Sequence, residues 1–314
     1  MRFKQLTRFS MLAIFAVSAA SLSSLLAQNS KGGVEVVNVP QKGAPPTGPY
    51  QVAIEHDPGL ATHTIYRPAD LGSSEHPLLV WGEGGCAKNG LTFPEYLSEI
   101  ASYGFVIVAD GPPVMRPAGG PGRGRGAPGG LPPNAAARGK AGPRTNNGRG
   151  RGIPPGLGNM LDGTALIKAI DWMQKEAADP SSRFYRKVDT NHVAAMGMSC
   201  GGLMSYGASA DPRIATVGIW NSGLIQPDDK IIAGIHSSVI IITGGESDIA
   251  YANGKRDFET MPARVPIFYG VYPSVGHGGT YNQDNGGAFG VTAVAWSEPR
   301  VHDRSRTRPN GSES

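Results

Sequence analysis

The chain has 314 residues, 45 of them Gly and 26 Pro, with a formal net charge of +4. The Gly and Pro excess over the usual ~7% and ~5% shares and the basicity are both local: residues 111–158 hold 15 Gly, 10 Pro, seven Arg and one Lys with no acid, residues 1–27 add Arg2, Lys4 and Arg8, and the remaining 239 residues carry 18 Lys and Arg against 25 Asp and Glu. These figures exclude wholesale disorder, a collagen-like chain and a polytopic membrane protein, remove the charge-based case for a nucleic-acid partner, and size the body for one large core.

Residues 1–27 read as a secretory signal peptide, with a basic start and a small, apolar stretch over 11–20, cleaved after Ala20 or Ala27. Ser18, Ser21, Ser23 and Ser24 dilute the apolar run, which is short for a ~20-residue span. A secreted or periplasmic protein without stable membrane insertion is expected, and residues 28–50 read as a linker. Residues 51–55 and 62–66 have the look of short strands around the turn Asp57-Pro58-Gly59. The apolar run 78–81 suits a buried strand. A Gly-rich loop follows, then a helix start in which Thr92 can cap, Pro94 fits the first turn and Glu95 completes a capping box. Tyr96, Leu97 and Ile100 continue at helical spacing, and 105–109 reads as a second buried strand.

The insert 111–158 is too poor in apolar residues to offset its ordering entropy and is expected to be disordered. It leaves the carboxyl end of a strand as a +8 tether, able to attract an anionic surface or polymer, or else as a passive spacer. Leu166, Ile170, Met173 and Ala177 mark the next helix. Strands follow at 193–196, 214–220, 239–243 and 265–272, with a helix at 203–209. Apolar strands alternating with amphipathic helices predict an α/β domain over 51–299, a mostly parallel sheet covered by helices on both faces. Residues 300–314 form a polar tail.

The strand ending at Met196 runs into Gly197-Met198-Ser199-Cys200-Gly201-Gly202 and then a helix. This is G-x-S-x-G in a strand–turn–helix setting, which stands a serine exposed on a sharp turn whose flanking glycines remove clashes. A serine needs a base and an orienting acid. Asp248 follows the 239–243 strand and His277 follows the 265–272 strand, both at the rim where Ser199 emerges. His56, His63, His76 and His192 precede the serine, His236 precedes the acid, and His302 lies in the tail. Glu246, two residues before Asp248, is the alternative acid. The oxyanion donors expected are the backbone N–H of Cys200 and one from the loop Gly82-Glu83-Gly84-Gly85-Cys86, with Glu83, Gly84 and Gly85 all open as the second donor.

The segments VWGEGGCAKNG, VAAMGMSCGG, ITGGESDIAY and VGHGGTY resemble those of secreted α/β-hydrolases of the dienelactone-hydrolase, chlorophyllase and polyester-hydrolase (cutinase-like) branch, over residues 78–280. The resemblance implies an α/β-hydrolase fold with a sheet of about eight strands, and hydrolysis of a small-molecule or polymeric ester through an acyl-enzyme without a cofactor; no His, Asp and Glu cluster has metal-ligand spacing, so no metal is expected. Met198 stands where such polyester hydrolases commonly carry His or Tyr. The closing helix, from 287 to 296, is expected to be cut short by Pro299, leaving the last strand poorly covered. A peptidase on the same fold and a non-catalytic binding module using the basic insert are the alternative functions. Because the oxyanion loop and the serine turn must aim at one atom, Cys86 and Cys200 should approach within the ~4.4–6.8 Å Cα separation of a disulfide; two buried free thiols are the alternative.

Overall fold

The apolar run at 78–81 divides its side chains between two layers. Leu78 and Val80 enter one core, Leu79 and Trp81 the other, as the two-residue period of a pleated strand dictates. The same split recurs in the neighbouring strands, where Val106, Val108, Val239 and Ile241 face the first layer and Ile107, Ala109, Ile240 and Ile242 the second. The computed structural model describes residues 33–40, 42–115 and 160–301, the side chains of 298–301 excepted. The expected signal peptide, the insert from 116 to 158 and the tail from 302 lie outside the described residues.

The strands are β1 (Glu35–Val36), β2 (Val52–His56), β3 (His63–Pro68), β4 (His76–Gly82), β5 (Val106–Asp110), β6 (Val188–Met198), β7 (Ile214–Trp220), β8 (Ser238–Thr243) and β9 (Ile267–Val271). They form one sheet in the order β1-β2-β3-β5-β4-β6-β7-β8-β9. The pairs β1/β2, β2/β3 and β3/β5 are antiparallel, and the other five pairs are parallel. Helices α1 (Pro94–Ser102) and α6 (Gly287–Val301) cover one face through Tyr96, Leu97, Ile100, Phe289 and Ala293. Helices α2 (Thr164–Ala178), α3 (Cys200–Ala208) and α4 (Asp229–Gly234) cover the other through residues such as Ile170, Met173, Leu203 and Ile232. Helix α5 (Tyr251–Thr260) packs beside β8 and β9. The class is α/β with a mostly parallel sheet, and covered strands can be apolar on both faces. Among the described residues, no helix is long and apolar enough to cross a membrane.

Four details depart from the expectations. The sheet has nine strands rather than about eight, because residues 35–36, too short for any periodicity to register, pair with β2. The stretch read as a linker is also held to α1, where Thr47 N–H donates to Glu99 Oε2 (2.8 Å) and Gly48 N–H to Ser102 Oγ (3.0 Å). The capping box at Thr92 does not form: its hydroxyl donates to the Asn89 carbonyl (2.7 Å), and α1 begins at Pro94 without a side-chain cap. Helix α6 passes through Pro299 to Val301, because a proline in the last turn removes only one of the final backbone bonds. Trp296 packs on Phe268 at a ring separation of 6.2 Å and its indole N–H donates to Thr216 Oγ1 at 2.8 Å, yet β9 has no buried residue, and Phe268 and Val271 stay 49% and 39% exposed, so the last strand is poorly covered, as expected.

The two-layer core sets a clear contrast. Ile241→Ala, at a fully buried site in β8, should cost about 2–5 kcal/mol of stability. Val291→Ala, 68% exposed on α6, should change it by no more than about 0.5 kcal/mol. Urea midpoints measure both.

Candidate functional site

Strand β6 ends at Met198 and α3 starts at Cys200, so the whole turn between them is Ser199, at φ 54° and ψ −114°. That conformation is strained for a residue with a Cβ and persists only where the surroundings impose it. Here the Ser199 N–H donates to the Trp220 carbonyl (2.9 Å), while its own carbonyl accepts from Gly202 N–H (3.0 Å) and Ser222 Oγ (2.7 Å). The flanking glycines are required by contact. A Cβ on Gly201 would lie 1.9 Å from the Gly82 carbonyl oxygen, and one on Gly197 would lie 2.3 Å from the Gly201 backbone.

The loops after β8 and β9 bring Asp248 and His277 to this turn. His277 Nε2 lies 2.9 Å from Ser199 Oγ, and His277 Nδ1 lies 2.7 Å from Asp248 Oδ1. Asp248 is buried and richly bonded: Oδ1 also accepts from Ala250 N–H (2.9 Å), and Oδ2 from Gly244 N–H (2.9 Å) and Asn221 Nδ2 (2.7 Å). Burial works to raise its pKa, but the bonds from His277, Gly244, Ala250 and Asn221 prevail and hold the carboxyl below the ordinary aspartate value. Glu246, the alternative acid, is exposed on the same loop; the carboxylate on the imidazole is that of Asp248.

The loop after β4 forms a 3-10 turn at Gly84–Cys86, with Gly85 at φ 65° and Cys86 at φ 50°. A disulfide joins Cys86 to Cys200, their Cα atoms 5.2 Å apart, so the turn is bonded to the residue after Ser199. The Cys200 N–H opens α3, where the first helical N–H groups have no intrahelical acceptor. The Glu83 nitrogen lies against Gly201. Met198 packs beneath the turn, with its Sδ where a Cβ on Gly84 would fall.

The Glu83 side chain points inward and is fully buried. The Trp81 indole N–H and the Thr92 hydroxyl lie near its carboxyl and work to lower its pKa, though neither makes a well-formed hydrogen bond to it. Burial outweighs them and pushes this carboxyl well above its usual range, which favours its neutral form. Asn221 and Tyr281 had no part in the sequence-based site. The available signal was positional: Asn221 is the first polar residue after the apolar strand 214–220, on the same rim as Ser199. Among the described residues, no cluster of His, Cys, Asp and Glu could hold a metal ion. No protein-family model and no curated protein matches the chain.

Thiol titration of the denatured, unreduced protein should find no free cysteine among the two. Replacing both by Ala should lower stability by about 4–5 kcal/mol on chain-entropy grounds, for a sequence separation of 114 residues. Glu83 predicts a pH effect. A carboxyl whose folded pKa is raised contributes stability that is complete below the unfolded value of about 4.3, shrinks as pH rises toward the folded value and is gone above it. Glu83→Gln should therefore gain stability relative to the parent as pH rises above about 4.3, measured as the difference in urea midpoint at each pH.

Proposed function

We propose that the chain is a serine hydrolase of the α/β-hydrolase fold, acting on carboxylic esters through an acyl-enzyme. The observation that carries the reading is the hydrogen-bonded set Ser199–His277–Asp248 at the carboxyl edge of a parallel sheet. Beyond the two-residue β1, the strand order with its antiparallel second strand and single crossover between β4 and β5 supports the fold assignment. The disulfide supports an oxidising compartment and hence a secreted or periplasmic protein.

In this mechanism His277 Nε2 takes the Ser199 proton as Oγ bonds to the ester carbonyl carbon. The carbonyl oxygen gains the electron pair and is held by the Cys200 N–H and an N–H of the Glu83–Gly84–Gly85 stretch, which the disulfide keeps beside the serine. Collapse of the tetrahedral species breaks the bond to the alcohol oxygen, which leaves with the proton from His277. Water, deprotonated by His277, then attacks the acyl-serine; its collapse releases the acid and returns the proton to Oγ. Ionised Asp248 fixes the imidazole tautomer and stabilises the cation formed in each half.

A short-chain nitrophenyl ester should be hydrolysed and a fluorophosphonate should label Ser199. Ser199→Ala and His277→Ala should each lose on the order of 10^6-fold in kcat, and Asp248→Asn roughly 10^4-fold, with unchanged circular dichroism. Absence of both hydrolysis and labelling in the parent protein would overturn the reading.

A further inference from the structure

Asp248 receives two of its hydrogen bonds from Gly244 and Ala250, in its own loop, and these donors move with it. Apart from His277, the one described donor from elsewhere in the chain is Asn221 Nδ2. The same nitrogen donates to the Gly276 carbonyl (3.1 Å), and Gly276 directly precedes His277. One buried amide thus bonds to both the acid loop and the base loop. It does so from the residue directly after β7, where Asn221 is anchored by its N–H to the Ile242 carbonyl (2.7 Å).

The orientation of that amide follows from its partners. An ionised carboxylate and a backbone carbonyl can only accept, so the end that faces both is the nitrogen. This leaves Oδ1 for Tyr281 Oη at 2.7 Å, and the tyrosine must donate. Tyr281 is fully buried and wedged among Trp81, Phe93, Tyr96 and Phe289, with ring centroids 4.5–6.3 Å away, so the hydroxyl is delivered from a fixed direction. Every proton in the row then points one way, from Tyr281 to Asn221 to Asp248.

We propose that Asn221, aimed by Tyr281, is a positioning residue that clamps the acid and base loops and keeps the Asp248 carboxylate in line with His277. The proposal rests on the serine-hydrolase reading above. Burial pushes the Tyr281 hydroxyl well above the usual tyrosine value, with Tyr96, Asp248 and Glu83 adding to the shift, so it remains a donor. Tyr269, the other hydroxyl that feels the Asp248 charge, is also raised by burial.

Asn221 has φ 43°, a backbone state that glycine adopts without strain, so Asn221→Gly deletes the amide and spares the turn. Loss of a hydrogen bond to a charged group should lower kcat by about 10- to 100-fold, with KM within about twofold. The ionised Asp248 loses a donor that holds its pKa down, so that pKa should rise and the acid limb of the kcat/KM profile should move to higher pH. Tyr281→Phe should show the same changes in smaller measure, and the double variant should be no worse than Asn221→Gly alone, because Tyr281 acts through Asn221. A kcat within twofold of the parent, or a loss of kcat with the acid limb unmoved, would overturn the proposal while Ser199 still reacts with fluorophosphonate. Should Asn221→Gly fail to fold, Tyr281→Phe decides on the same two readouts. If parent Ser199 does not react at all, the serine-hydrolase reading itself fails.

Discussion

The rim of the sheet is organised by a contact between backbones that leaves no space for side chains. Gly82 at the end of β4 meets Gly201 in the first turn of α3, and Gly197 meets the same residue from β6. Because these backbones touch, Ser199 has to turn through a strained conformation. The loop after β4 is carried to the same place, and Cys86 comes close enough to Cys200 to be bonded to it. A methyl group on Gly201 would push the end of β4 away from α3.

Two buried carboxyls at this rim are shifted in opposite directions. Asp248 has four donors and stays ionised despite burial. Glu83 has no well-formed hydrogen bond among the described residues, and burial pushes it well above its usual range. The difference lies in hydrogen bonding, since both are sealed from solvent. In the proposed acyl transfer, charge on Asp248 would stabilise a cation on the imidazole, and a neutral Glu83 beside the Gly84–Cys86 turn would not oppose an anion there.

The same economy explains the choice between Asp248 and Glu246. Both lie on one short loop, both are acids, and spacing does not separate them. The loop buries Asp248 against Asn221 and the Gly244 N–H and leaves Glu246 in solvent. Likewise Pro299 reads as a stop signal, yet in the final turn of α6 its missing donor has little to break, and the apolar face of the helix stays packed on the sheet.

Much of the layout was legible from residue order because its causes are local. Alternation in the strands, four- and three-residue steps in α2, and glycines around a serine after a strand each reflect the geometry of a few neighbouring residues. The positions of Asp248 and His277 followed from the loop after a strand, again a local feature. The pairing of β1, the burial of Glu83 and the row from Tyr281 through Asn221 to Asp248 were not legible. Asn221 meets Asp248, Gly276 and Tyr281 across 27, 55 and 60 residues of chain. Such contacts depend on which strands lie side by side and on which way each side chain leaves its loop, and both are settled only when the two layers of the core close on the sheet.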